Sequence, residues 1–306
     1  MAEKRCGDNP DSDEAGPVQQ WREASYQPCI SEYRAPASAL GPMQTIVFQS
    51  YRTQQVPAWI STCMGTVRAW AAQQGFDYRF YDDAFLGYAP PWFRDKAQQS
   101  ICPVTDLARL VVARELLAQG YQRTVWVDAD MLVFAPEQLR VEQVQDFSFC
   151  HELWVQVDAA GALQLVHRVN NAITVFCAGN VQLEFFIDAC LRIGRHKAQV
   201  GKLDVGTKFL TELRAVMPYP LLENVGMLSP RMLYEITGGE ALHLRRYAQG
   251  LPVPLACANL CASMQGRTLQ GVVCDDALYA RVIEALLSSR GGAVNGLRPA
   301  GPGARV

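Results

Sequence analysis

Short apolar runs and helical apolar stripes alternate through the first half of the chain. Residues 45–49 carry the run Ile46-Val47-Phe48 and read as a buried strand. Pro57 suits a first helical turn. From residue 60 to residue 73, Ile60, Cys63, Met64, Val67, Trp70 and Ala71 recur at helical spacing and define one apolar face, with Gly75 placed to end the helix. Residues 78–81 read as a second strand running into Asp82 and Asp83. A loop with Pro90 and Pro91 follows, then a helix over 104–118 stopped by Gly120, then a third strand over 124–127. Strand, helix, strand, helix, strand predicts an α/β fold with an open, mostly parallel central sheet and right-handed crossovers.

Beyond residue 130 the pattern changes, and a mixed second half is expected. Residues 147–150, 153–157 and 163–167 read as strands, with a hairpin turn at 158–161, and 173–176 as another strand. Asn180 can cap a helix whose face holds Leu183, Phe186, Ile187, Cys190 and Ile193. Further helices are expected over 206–214 and 276–287. Pro, Gly and polar residues dominate 1–42, and 288–306 repeats Gly, Ala, Arg and Pro. Both segments are expected to be disordered or irregular, leaving 43–287 as one catalytic domain.

Composition narrows the function more than the fold. Lys and Arg total 28 against 30 Asp and Glu, a formal charge of -2, so no overall field draws nucleic acid to the chain. Of ten cysteines only Cys257 and Cys261 are close, with no second pair at zinc-site spacing, and free thiols are expected. No run approaches the ~18 consecutive apolar residues of a membrane span, and the N-terminus lacks a signal-peptide core. A cytoplasmic protein is therefore expected, with peripheral membrane contact left open for a lipid-linked acceptor. The oligomeric state is not legible.

The chemistry concentrates where the third strand ends. Thr124-Val-Trp-Val-Asp-Ala-Asp130 places Asp128 and Asp130 two residues apart, on one side of extended backbone, at the carboxyl end of a strand where open α/β sheets bind ligands. Two hard oxygen ligands suit Mn²⁺ or Mg²⁺, which can bridge to a diphosphate. The same spacing also occurs in turns that merely solvate two aspartates. Asp106 and Arg109 stand one helical turn apart, so the first can accept from sugar hydroxyls while the second orients it or contacts a donor; an ordinary intrahelical ion pair fits the spacing too. Asn170-Asn171 at a strand start can read hydroxyls or form a turn. Gly206-Thr207 offers N–H groups at a helix start, or simple capping. Tyr51 can stack on a base, and Asp82 or Asp83 can hold base or ribose. His151, His167, His196 and His243 have no metal-ligand spacing.

This ordered set resembles the DXD-containing glycosyltransferases of the Och-like mannosyltransferase and capsular polysaccharide group, related to the catalytic region of clostridial glucosylating toxins. The resemblance runs from about Thr45 to about Met264. It rests on Thr45-Ile-Val-Phe-Gln-Ser-Tyr51, Val56-Pro-Ala-Trp59, Tyr78-Arg-Phe-Tyr-Asp-Asp83, Thr105-Asp-Leu-Ala-Arg109, Val127-Asp-Ala-Asp130, Asn170-Asn171 and Gly206-Thr207. It implies a GT-A fold, a nucleotide-sugar donor, Mn²⁺ or Mg²⁺, a hydroxyl acceptor and retention of anomeric configuration. A UDP-hexose is preferred as donor, with GDP-mannose second. Donor-binding positions implied are Phe48, Gln49, Tyr51, Asp83, Asp106, Arg109, Asp128, Ala129, Asp130, Asn170, Asn171, Gly206, Thr207 and Ser263. The catalytic set is Asp106, Arg109, Asp128, Asp130 and Asn171.

The chain departs from the family in Ala258-Asn-Leu-Cys-Ala-Ser-Met264, where Asn259 replaces a metal-proximal histidine and Met264 a tryptophan. Asn259 is the expected third metal ligand, through its amide oxygen. Two alternatives stand beside this reading. One is a haloacid-dehalogenase-like phosphatase, which usually has Thr or Val where Leu132 stands and carries its motif near the domain start. The other is a catalytically weak nucleotide-sugar-binding protein.

Overall fold

The computed structural model describes residues 44–299, which belong to one compact unit. The irregular segment expected over 1–42 lies outside the described residues, as does the tail from residue 300. In chain order the elements are β1 (Thr45–Ser50), α1 (Ala58–Gln73), β2 (Asp77–Tyr81), α2 (Pro91–Lys96), α3 (Cys102–Ala118), β3 (Arg123–Val127) and β4 (Met131–Val133). There follow β5 (Phe147–Val157), β6 (Leu163–Cys177), α4 (Gln182–His196), α5 (Thr207–Val216), β7 (Leu221–Leu222) and β8 (Val225–Met227). The last are α6 (Pro230–Ile236), α7 (Leu242–Gly250), β9 (Cys257–Asn259), β10 (Thr268–Leu269), β11 (Val272–Val273), α8 (Asp276–Ser288) and α9 (Gly292–Asn295).

The main sheet has the order β2-β1-β3-β6-β5-β7. β1 pairs in parallel with both β2 and β3, while β6 runs antiparallel to both β3 and β5. The first-half strands thus pair in parallel, and the sheet becomes mixed beyond β3, where β6 is antiparallel to both neighbours and β7 is again parallel to β5. β1 and β3 are covered on both faces, which explains their unbroken apolar runs. On one face lie Phe48, Phe85, Trp126 and the apolar sides of α3 and α4. On the other lie Val47, Val125, Ile173 and the α1 residues Val67 and Trp70.

A second sheet, β4-β9-β8, continues the chain just past the Asp-x-Asp turn. Its register sets Asn259 opposite Met131, which brings the 259–264 loop against the acidic turn. This small sheet was not legible, because three-residue strands carry no periodicity.

Several expectations change on folding. The four short strands of 147–176 merge into the long hairpin β5–β6, with a bulge between Ser148 and Cys150. The Pro90-Pro91 loop begins a helix, Pro91 serving as its first residue. The tail expected to be irregular from residue 288 is structured as far as residue 299. Val294 in α9 is buried and the Asn295 side chain bonds both the amide and the carbonyl of Leu255. The eight described cysteines form no disulfide. No described helix is long and apolar enough to cross a membrane.

Candidate functional site

An open cleft of about 800 Å³ lies over the carboxyl ends of β1 and β3. Tyr51, Asp83, Asp106, Arg109, Asp128, Ala129, Asp130, Asn170, Asn171, Thr207, Asn259 and Ser263 all line it. The strand-end position follows from the alternation of β3: Trp126 and Asp128 project to one side while Val127 enters the opposite core.

Three residues expected at the donor do not line the cleft. Phe48 is wholly buried, packed edge-on against Trp126 and Tyr81. Gln49 is wholly buried; its amide donates to the Asp128 carbonyl at 3.1 Å and accepts from the Tyr78 hydroxyl at 3.0 Å. It thus fixes the strand end from beneath. Gly206 acts by being small, since a Cβ there would lie 2.5 Å from Asp106 Oδ2.

Asp106 and Arg109 are carried on a part of α3 that is buried nearly all round. Arg109 Nη2 pairs with Asp106 Oδ1 at 3.1 Å, and Nη1 with Asp128 Oδ1 at 3.3 Å. Nη1 also donates to the Asn171 carbonyl, and Nε to the Thr105 carbonyl at 3.3 Å. The guanidinium lies 4.7 Å from the centre of the Trp126 ring, which also stacks on Phe85. All three guanidinium nitrogens are thus committed to protein, and Arg109 clamps two carboxylates to one strand. Asn171 Nδ2 donates to Asp106 Oδ1 at 2.9 Å. Burial pushes the Asp106 carboxyl up to about 6, against the opposing pull of Arg109 and Asn171.

The Asp-x-Asp turn is held from both sides. Asp128 Oδ1 accepts from the Trp126 indole N–H at 2.7 Å. Asp130 Oδ2 accepts from the Ala262 N–H at 2.7 Å. Asn259 Nδ2 bridges the pair, 2.9 Å from Asp130 Oδ1 and 3.4 Å from Asp128 Oδ2. The Asn259 oxygen is occupied by the Cys261 N–H at 2.7 Å, which fixes the orientation of the amide. The resemblance implied an oxygen ligand to a metal at this position; here the donor side of the amide faces the carboxylates. Cys261 adopts left-handed backbone (φ 58°) to close this loop. Burial raises the pKa of both aspartates, and repulsion from Asp128 adds to the rise at Asp130.

Among the described residues no group of three or more His, Cys, Asp or Glu side chains is arranged to hold a metal ion. Asp128 and Asp130 nonetheless fit a hard divalent cation of the kind that takes one or two carboxylates and completes its shell with phosphate oxygens and water. The Asp128 side chain is 26% exposed to the cleft, and each carboxylate offers more lone pairs than its neighbours use.

Asn170 and Asn171 are divided by strand alternation. Asn170 Oδ1 accepts from the Ala172 N–H at 2.7 Å, and its Nδ2 donates to Glu152 Oε2 at 2.6 Å. Both amides are therefore committed to carboxylates. Glu152, Trp154, Arg168, Lys202 and Arg267 also line the cleft and were missed by sequence reasoning. For Glu152 the available signal was an acidic residue between the apolar stretches of β5.

No protein-family model matches the chain, and no curated protein matches it. Among solved structures it is similar to a glycosyltransferase involved in the glycosylation of the major capsid of PBCV-1, with a TM-score of 0.38 and 7% identity over 72% of this chain and 93% of that one. It is also similar to the glycosyltransferase GlyE of Streptococcus pneumoniae TIGR4. The apo form gives a TM-score of 0.37 and 11% identity, and a second GlyE structure gives 0.36 and 9%; each match covers 81% of this chain. The chain spans 64% of the length of GlyE.

Proposed function

We propose that the protein is a metal-dependent, retaining glycosyltransferase that moves a hexose from a nucleotide-sugar donor to a hydroxyl acceptor. A UDP-hexose is the first-choice donor and GDP-mannose the second. The observation that carries this reading is convergence. Asp128 and Asp130 from the β3 end, Asp106 and Arg109 from α3, and Asn171 from β6 meet in one cleft large enough for a nucleotide sugar.

In this reading Asp128 and Asp130 hold Mn²⁺ or Mg²⁺. The bound cation offsets charge developing on the departing nucleotide diphosphate. Arg109 keeps Asp106 and Asp128 at fixed separation, and Trp126 and Ala262 hold the outer oxygens of the acidic pair, so the site needs little rearrangement on binding. Asp106, opposite Gly206, accepts from a donor hydroxyl, and Tyr51 and Asp83 lie toward the nucleoside. Transfer forms a bond from the acceptor oxygen to the anomeric carbon and breaks the bond from that carbon to the diphosphate. The acceptor proton passes to a diphosphate oxygen on the same face, which retains the configuration. A glycan, a lipid-linked sugar or a small metabolite can supply the acceptor hydroxyl.

The test is to incubate the purified protein with a panel of UDP-hexoses and GDP-mannose in Mn²⁺ and to follow released nucleotide. Expected is metal-dependent release from at least one donor, with early NMR of the product showing the donor's own anomeric configuration. No release from any donor contradicts the reading, and an inverted product contradicts its retaining part.

A further inference from the structure

The polar network around Asp106 and Asp128 leaves one part of the cleft unexplained. Glu152 and Trp154 stand two residues apart on β5 and so project from the same face. Both line the cleft. Leu153 and Val155, between and beyond them, enter the core on the opposite face.

The Glu152 side chain is only 9% exposed, yet it has one short hydrogen bond, from Asn170, and one long ion pair, 3.8 Å from an Arg168 side chain that is itself 38% exposed. A carboxylate accepts at about four lone-pair positions. Its remaining acceptor positions border the open cleft, where a ligand hydroxyl can take the place of water. Trp154 is only partly buried: it packs against the core and also borders the cleft.

The placement relative to the donor site is fixed by the chain. Asn170 holds Glu152 while the adjacent Asn171 holds Asp106, so the two carboxylates hang from consecutive residues of one strand. A carboxylate beside an aromatic wall has a particular chemistry. The ring covers the C–H face of a pyranose, and the carboxylate accepts from hydroxyls at its rim.

We propose that Glu152 and Trp154, with Asn170 and Arg168 orienting the carboxylate, form a pyranose-binding subsite for the acceptor. As an acceptor site it rests on the transferase reading; as a sugar-binding site it does not. The test is therefore made without metal or nucleotide. Methyl glycosides of glucose, galactose, mannose and N-acetylglucosamine are titrated at millimolar concentration into the wild-type protein and into Trp154→Ala, Trp154→Phe and Glu152→Gln, and binding is read by ligand-observed NMR.

At least one pyranoside binds the wild type. Trp154→Ala and Glu152→Gln each weaken it by about tenfold, while Trp154→Phe retains most of the affinity. Glu152→Gln conserves shape, so it reports even if the tryptophan truncation does not fold. Binding of none of the four sugars, or binding unchanged in Glu152→Gln, overturns the proposal. Loss of donor turnover with pyranoside binding intact overturns the transferase reading instead and leaves this subsite standing.

Discussion

The two acidic centres of the cleft are built in opposite ways. Asp106 is 6% exposed on a buried helix, its carboxylate meeting Arg109, Asn171 and the close backbone of Gly206. Asp128 and Asp130 lie on a turn between two strands, partly open to the cleft, with like charges side by side and one amide donor between them. The first centre is enclosed and fixes geometry. The second keeps spare acceptor capacity and a raised proton affinity, the combination that a cation relieves. Arg109 belongs to both, and through it the helix sets where the turn can hold a ligand.

Breaking the open centre should have the largest effect. Asp128→Asn or Asp130→Asn should reduce transfer on the order of 10³-fold while the melting temperature changes little, because both side chains are only partly buried and border the cleft. Equal loss of activity and folding would make the pair structural. Cutting the link comes next. Arg109→Ala leaves the buried Asp106 without its cation and Asp128 without one of its partners, and should cost about 3–5 kcal/mol of stability by denaturant unfolding, with Arg109→Lys intermediate. An unchanged unfolding midpoint would separate the two centres.

A smaller effect appears with pH. Asp130 has a raised pKa in the folded state, so the native protein binds its proton more tightly than the unfolded chain and loses that contribution as pH rises from its ordinary value toward about 6. Wild type should therefore gain stability relative to Asp130→Asn as pH is lowered from about 7.5 to about 5, and its Mn²⁺ affinity should fall over the same range as protons compete. A pH-independent difference in unfolding free energy would contradict the burial and repulsion assigned to the pair. The smallest change is expected for Asn259→Ala. Removing the bridging amide should lower metal affinity by about tenfold through misplaced carboxylates rather than a lost ligand. Total loss of metal binding would restore Asn259 to the role of ligand.

The same contrast separates what was legible in the sequence from what was not. The first half gave way to periodicity: Ile60 to Ala71 at helical spacing became the buried face of α1, and the strand before Asp128 is fully buried. Asp106 and Arg109 were visible as a pair one turn apart, but their burial was not, because an i, i+3 ion pair looks the same on a wet face as inside a core. The β5–β6 hairpin was read in pieces because His151-Glu152 and Asn170-Asn171 interrupt its apolar pattern. Those interruptions are cleft-lining positions, or their neighbours. Helices α6 and α7 went unseen although Ser229 caps the first of them through a bond from the Met232 N–H. The orientation of the Asn259 amide depends on the Cys261 N–H two residues on, a consequence of loop geometry that no residue type announces.

Calorimetric titration of the donor panel into wild type and Asp128→Asn, each with Mn²⁺ and with excess chelator, tests the central claim most directly. Wild type should bind at least one nucleotide sugar in Mn²⁺, and that binding should weaken by about 100-fold or more both on chelation and in the variant. Binding of the same strength in chelator, or in Asp128→Asn with Mn²⁺ present, would contradict the assignment of the Asp128–Asp130 turn as the metal–diphosphate site.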